Sequence, residues 1–141
     1  MRTRKNQTDC PISNALSHLG DKWSLLIIRD MMFAGKRHYT EFLESGEKIS
    51  TKILAQRLKA LEAEGIISKH DDPDNQAKYI YRLTEKGIDL MPIIVEMALW
   101  STMHVDGVDP HAGHMDAVRK DKSGFLKMAM KQLREQLKAP G

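Results

Sequence analysis

The 141-residue chain has one cysteine, Cys10, so no intrachain disulfide can staple its fold, and a reducing cytoplasm is the compartment that suits it. It also lacks any apolar run near the ~18 residues that a bilayer span requires. The longest are Leu25 to Ile28 and Ile93 to Trp100, the second interrupted by Glu96. Arg2, Arg4 and Lys5 open the chain, but Asn6 to Asp9 are all polar, so no secretion signal is expected. Charge of one sign is scarce too. The formal net charge is only +3, and affinity for phosphate must therefore come from cations gathered on one face. There is no internal repeat, glycine-rich phosphate loop, nucleophile elbow or cysteine with a motif-placed histidine. An enzyme has no constellation to work with here, and no cofactor and no membrane association are expected.

What is present is ordinary globular composition, 41% hydrophobic and 29% charged, in a length that suits one domain with a modest extension. Pro11 to Leu19 reads as a first helix, with Ile12, Ala15, Leu16 and Leu19 at helical spacing and Gly20 as its stop. Asp21 can cap a second helix, whose run Trp23 to Met32 is apolar nearly all round and belongs at the centre of the fold. Gly35 ends it, Lys36, Arg37 and His38 form a basic link, and Thr40 to Leu43 is a short helical piece. Ser50 caps the next helix, in which Leu54, Leu58 and Leu61 make a narrow inward stripe. Its opposite face carries Lys52, Gln56, Lys59 and Ala63, flanked by Thr51, Ala55 and Arg57.

Ile66 to His70 and Lys78 to Leu83 read as two strands around a polar loop from Asp71 to Ala77. Thr84 then caps one long helix to about Val105, kinked at Pro92. Because every residue but Glu96 from Ile93 to Trp100 is apolar, a partner chain is expected to cover that helix. After a loop with Gly107, Pro110 and Gly113, a last amphipathic helix is expected over Ala117 to Leu137. Its residues Leu126, Met130, Leu133 and Leu137 fall at near-heptad spacing and read as a second dimerisation element.

Three helices, a hairpin and a long helix follow one another in the order of a winged helix-turn-helix, a mainly α fold with a small β-hairpin (α+β) and long C-terminal dimerisation helices. The segment from Ser50 to Gly65 supplies the recognition helix. Lys52 and Lys59 can neutralise phosphates, and Gln56 has the amide geometry to pair with adenine N6 and N7. Lys36, Arg37, Ser50, Thr51, Arg57 and Lys78 are the further candidates for contact with duplex DNA.

The residues that carry a family resemblance are now in view. Cys10-Pro11 with Ala15-Leu16, then Gly20-Asp21-Lys22-Trp23, resemble the opening of HxlR-type regulators, a winged-helix family akin to MarR proteins. Lys36-Arg37 with Tyr39 and Phe42, Ile49-Ser50 with Leu54, Arg57-Leu58, Leu61-Glu62 and Gly65-Ile66 are similar to that family's helix-turn-helix. Tyr81 to Gly87, and Pro92 ahead of Trp100, resemble its hairpin and long helix.

The resemblance implies a cytoplasmic regulator, more often a repressor, acting as a homodimer joined by terminal helices. Its two recognition helices would stand about 34 Å apart over a pseudo-palindromic operator. Ile12, Leu16, Ile94, Met97 and Trp100 are expected in the dimer contact together with the last helix. The division that follows is an arm over 1–9, a winged-helix domain over 10–105, and a loop with a dimerisation helix over 106–141. The wing departs from the family, carrying Asp71, Asp72 and Asp74 where arginine is common.

Cys10 has two readings. In some members a cysteine at the matching position senses oxidants or electrophiles, whereas a buried cysteine at a helix start serves packing alone. His104, His111 and His114 lie in a loop without the four-ligand spacing of common zinc sites and are read as exposed side chains. The aspartates of the wing lack an EF-hand's spacing and are read as turn formers. A small effector would have room between the core and the dimer helices. The alternative function is a protein-interaction adaptor that keeps the winged-helix shape without the DNA role, motivated by the acidic wing and low net charge.

Overall fold

A computed structural model of the protein describes residues 9–138, so all but the last residue of the expected N-terminal arm lies outside the described residues. Helix α1 (Pro11–Leu19) starts on a proline, where the missing N–H is not needed, and stops at Gly20. The stop requires glycine: a Cβ there would stand 2.4 Å from the Leu16 carbonyl oxygen, which accepts the Gly20 N–H. Helix α2 (Lys22–Phe33) is capped as expected, the Asp21 carboxylate accepting from the Ser24 amide and hydroxyl at 2.9 and 2.7 Å. It buries Ile27, Ile28, Met31 and Met32 and forms the centre of the core.

The link 36–38 lies beside the hairpin, with the Tyr81 N–H donating to the Arg37 carbonyl at 2.8 Å. Helix α3 (Tyr39–Leu43) sends Phe42 into the core, and α4 (Thr51–Ala63) buries Leu54, Leu58 and Leu61 behind its Ser50 cap. Each fully buried leucine contributes about 1.5 to 3 kcal/mol, enough to fix which face of α4 turns outward. Strands β1 (Ile67–Asp72) and β2 (Asn75–Leu83) form an antiparallel pair, in register from Ile67 opposite Leu83 to His70 opposite Ile80. Both strands run further than expected, into the predicted loop. The reason is a tight turn: Asp72 Oδ1 accepts the Asp74 N–H at 2.9 Å, so Pro73 and Asp74 suffice to reverse the chain.

Two expected helices are each divided. After the Thr84 cap, α5 (Glu85–Ile88) ends and α6 (Met91–His104) begins, in place of one helix kinked at Pro92. The Leu90 N–H turns back to Gly87 at 3.1 Å, and Pro92 then sits in the first turn of α6, where its missing donor is tolerated. Likewise α7 (Met115–Lys120) and α8 (Lys122–Lys138) replace a single last helix. Asp121 leaves helical geometry between them, and its carboxylate accepts the Gly124 N–H at 3.0 Å, opening α8.

The final helix also lies differently. Leu126, Met130, Leu133 and Leu137 are half-buried against the core of their own chain, and Arg134 anchors α8 through Glu85 and Asp89 at 3.0 and 3.1 Å. Their spacing is thus explained within one subunit. The whole is an α+β winged helix, with the hairpin beside α4 and the C-terminal helices laid over α2, α5 and α6. No described helix is long and apolar enough to cross a membrane.

Candidate nucleic-acid interface

The apolar stripe of α4 turns its polar side out: Thr51, Lys52, Ala55, Gln56, Lys59, Glu62 and Ala63 are exposed. Lys52, Gln56 and Lys59 make no side-chain hydrogen bond or ion pair among the described residues, so their donors are available to a ligand. Ser50 holds the helix start through the Ile53 N–H at 3.2 Å, and Tyr39 donates its hydroxyl to the Thr51 carbonyl at 3.0 Å, fixing α3 against that first turn. A chain of ion pairs supports the preceding turn. Arg29 bridges Asp30 at 2.7 Å and Glu47 at 2.9 Å, and its guanidinium holds the Glu47 carboxyl down at about 2.

The other expected DNA contacts divide. Arg37 is exposed and its guanidinium is unpartnered among the described residues. Arg57 instead turns back to Asp21 at 3.3 Å, tying α4 to the cap of α2, and Lys36 reaches buried Asp30 at 3.3 Å. Lys78 lies close enough to Asp72 to help lower that carboxyl.

The acidic wing has a role that the sequence reading missed. His38 Nδ1 is 2.9 Å from Glu41 and Nε2 is 3.1 Å from Asp72, so the imidazole joins the start of α3 to the tip of the hairpin. Facing carboxylates at both nitrogens, it satisfies both only as imidazolium. The Glu41 bond first, and the Asp72 bond second, raise its pKa above the ordinary value of 6.5. Glu41 is lowered in turn, chiefly by the Arg37 N–H, and Asp72 chiefly by the Asp74 N–H. The spacing of His38 and Glu41 was a usable signal; the pairing with Asp72 across the fold had none.

Cys10 is exposed, at the residue preceding α1. Of the three histidines expected in one loop, His104 is instead the last residue of α6 and lies by Trp100, while His111 goes to Asp116 at 2.7 Å and His114 to Phe33 and Phe125.

A family model described as HxlR-like helix-turn-helix matches residues 18–109, which spans α2 through α6. The chain belongs to the HxlR family. Among HxlR-type relatives, the HTH-type transcriptional regulator YodB of Bacillus subtilis is 42% identical over 95 residues, covering 67% of this chain and 84% of its own. YdeP of the same organism, also an HTH-type transcriptional regulator, is 30% identical over 128 residues, covering 85% and 96%. Among solved structures, the redox regulator HypR in its oxidised form superposes with a TM-score of 0.61 at 32% identity, covering 69% of this chain and 99% of that one. Reduced YodB superposes at 0.57 with 35% identity, covering 72% and 100%. This HxlR protein is therefore a transcriptional regulator of the helix-turn-helix type, a DNA-binding class, and not an enzyme.

Proposed function

We propose that this HxlR protein binds a pseudo-palindromic duplex with sequence preference as a homodimer, and that it represses by occupying a promoter. The carrying observation is the outward face of α4, where Gln56 stands between Lys52 and Lys59, cations unpartnered among the described residues. An amide between two phosphate-neutralising lysines is the combination that a base-reading helix needs. The wing serves mainly to hold α3 and α4 in place through His38, with Lys78 and Arg37 adding contacts at the flank.

Dimerisation is supported by what the subunit leaves uncovered. Ile93, Met97 and Trp100 lie at i, i+4 and i+7 on α6, and Trp100 is 62% exposed. On α1, Ile12 and Leu16 are exposed as well, at 73% and 61%. Apolar side chains in that number, grouped along helices, mark a protein contact. Ile94, by contrast, packs half-buried on its own core.

Cys10 supplies a redox input. Its exposure leaves the thiol open to reagent, and it sits two residues ahead of the exposed Ile12. The relatives HypR and YodB have been solved in oxidised, reduced and diamide-treated states, which supports the same reading here. With one cysteine per chain, oxidation would join two subunits, the two thiols losing two protons and two electrons to the oxidant.

The test is fluorescence anisotropy of the purified protein on the duplex upstream of its own gene and on a scrambled duplex, across a salt series. A preference of about 10³-fold or more at physiological salt supports a specific reader, and its change after oxidation, absent in Cys10→Ser, supports the redox input. No binding even at low salt would favour the protein-interaction adaptor instead.

A further inference from the structure

Between the 36–37 link, the base of β2, α5 and the C-terminal half of α8 lies a cleft of about 120 Å³. Lys36, Arg37 and Arg82 stand among its lining residues, and among the described residues no carboxylate does. Such a one-signed lining is unusual in a chain whose cations and anions nearly balance. The Nε of Arg82 is buried and has no hydrogen-bond partner among the described residues. A buried charged donor without an acceptor is costly, and a native fold that keeps one calls for an explanation. Among the described residues the Arg37 guanidinium is unpartnered too, and Lys36 makes a single 3.3 Å side-chain contact to Asp30, whose other oxygen is already held by Arg29 at 2.7 Å.

The rest of the lining points to the body of the ligand. Met31, Ile88 and Leu133 are apolar, and the volume is below the several hundred Å³ typical of drug-sized ligands. A bare inorganic anion would leave that surface uncovered, while a neutral apolar molecule would leave Arg37 and Arg82 without an acceptor and Lys36 with its one contact to Asp30.

We propose that this cleft binds a small organic acid, its carboxylate met by Arg82, Arg37 and Lys36 and its short apolar body lying against Met31, Ile88 and Leu133. Guanidinium groups suit this task because their planar donors match both carboxylate oxygens. The occupied cleft would join the link that enters α3 and the wing strand to α5 and α8. An acid bound there would shift the link and wing that set the pose of α4, a consequence that rests on the regulator reading given above.

The binding itself is tested without DNA. Acetate, butyrate and benzoate, each paired with its neutral amide, are titrated into the full chain at constant ionic strength, with thermal unfolding and calorimetry as readouts. The expected result is a saturable rise in the unfolding midpoint for at least one acid, none for its amide, and at least a tenfold loss of affinity in Arg82→Met. If that variant does not fold, Arg37→Gln carries the same expectation. Equal effects of acid and amide, no effect of any acid, or undiminished binding in the variants would overturn the proposal.

The same oxyanion chemistry could be supplied by the DNA backbone, and the variant separates the two sources. In that case Arg82→Met would lower the salt slope of duplex binding by about one while the acids leave the unfolding midpoint unchanged, and the small-acid proposal would fall. Because the acid titration contains no DNA, loss of duplex binding and loss of acid binding are read independently.

Discussion

Helix α4 and the β1–β2 hairpin both project from one core, and they dispose of their charges in opposite ways. On α4, Lys52, Gln56 and Lys59 are exposed and unpartnered among the described residues. On the hairpin, Asp72 is taken by His38, Lys69 lies over the Tyr79 ring at 4.0 Å, and Lys78 sits in the field of Asp72. The contrast teaches that an exposed charge is not yet an available one. A wing whose Asp72 and Lys69 are answered within the chain holds position, while a helix whose outward Lys52 and Lys59 are unanswered among the described residues is free to meet a ligand.

The largest effect should come from removing what the two regions share. Leu58, 2% exposed, anchors α4 to the core, and Leu58→Ala should cost about 2 to 5 kcal/mol in chemical denaturation and abolish duplex binding. A stable, fully binding variant would mean that α4 is not held by its apolar back. Next in size, Trp100→Glu places a charge on the exposed face of α6 and should convert the proposed dimer to monomer in sedimentation, at a cost of about 2 kcal/mol or more of association. Unchanged sedimentation would remove the exposed face of α6 from the proposed dimer contact. Gln56→Ala should lose about 1 to 3 kcal/mol of discrimination at one base pair per half-site while leaving scrambled DNA bound as before. A uniform loss across sequences would remove Gln56 from the reading role.

The smallest expected effect sharpens the contrast from the side of the wing. The folded pKa of His38 is raised, so the stability it contributes is fully present below 6.5 and is lost as pH rises through the folded value. Glu41 and Asp72 are lowered, so their share is present above the ordinary carboxylate range and is lost as pH falls through their folded values. Wild type should therefore exceed His38→Gln in stability in mildly acidic solution, the gap closing towards alkaline pH and again in strong acid. A gap that does not vary with pH would show that His38 acts by packing alone.

Much of this fold is local, and what is local could be read from the sequence. Pro11 and Gly20 bound α1, Asp21 caps α2, and the Leu54, Leu58, Leu61 stripe determines the outward face of α4, because each signal operates within a turn or two of helix. The breaks at Leu90 and Asp121 were harder, since Pro92 is compatible with both a kink and a fresh start and the Asp121 cap depends on its neighbour Gly124. What was not legible depends on distant partners. Nothing near Arg57 or Asp72 in sequence announces Asp21 or His38, and the near-heptad spacing of α8 fits a partner's core and its own core equally well.

The decisive measurement is the salt dependence of duplex binding for two double variants, Lys52→Ala with Lys59→Ala on α4 and Lys69→Ala with Lys78→Ala on the wing. The expected result is a slope lowered by about two per subunit for the α4 pair and by less than about one for the wing pair. A larger loss from the wing pair, with the α4 pair near wild type, would contradict the assignment of DNA contact to α4.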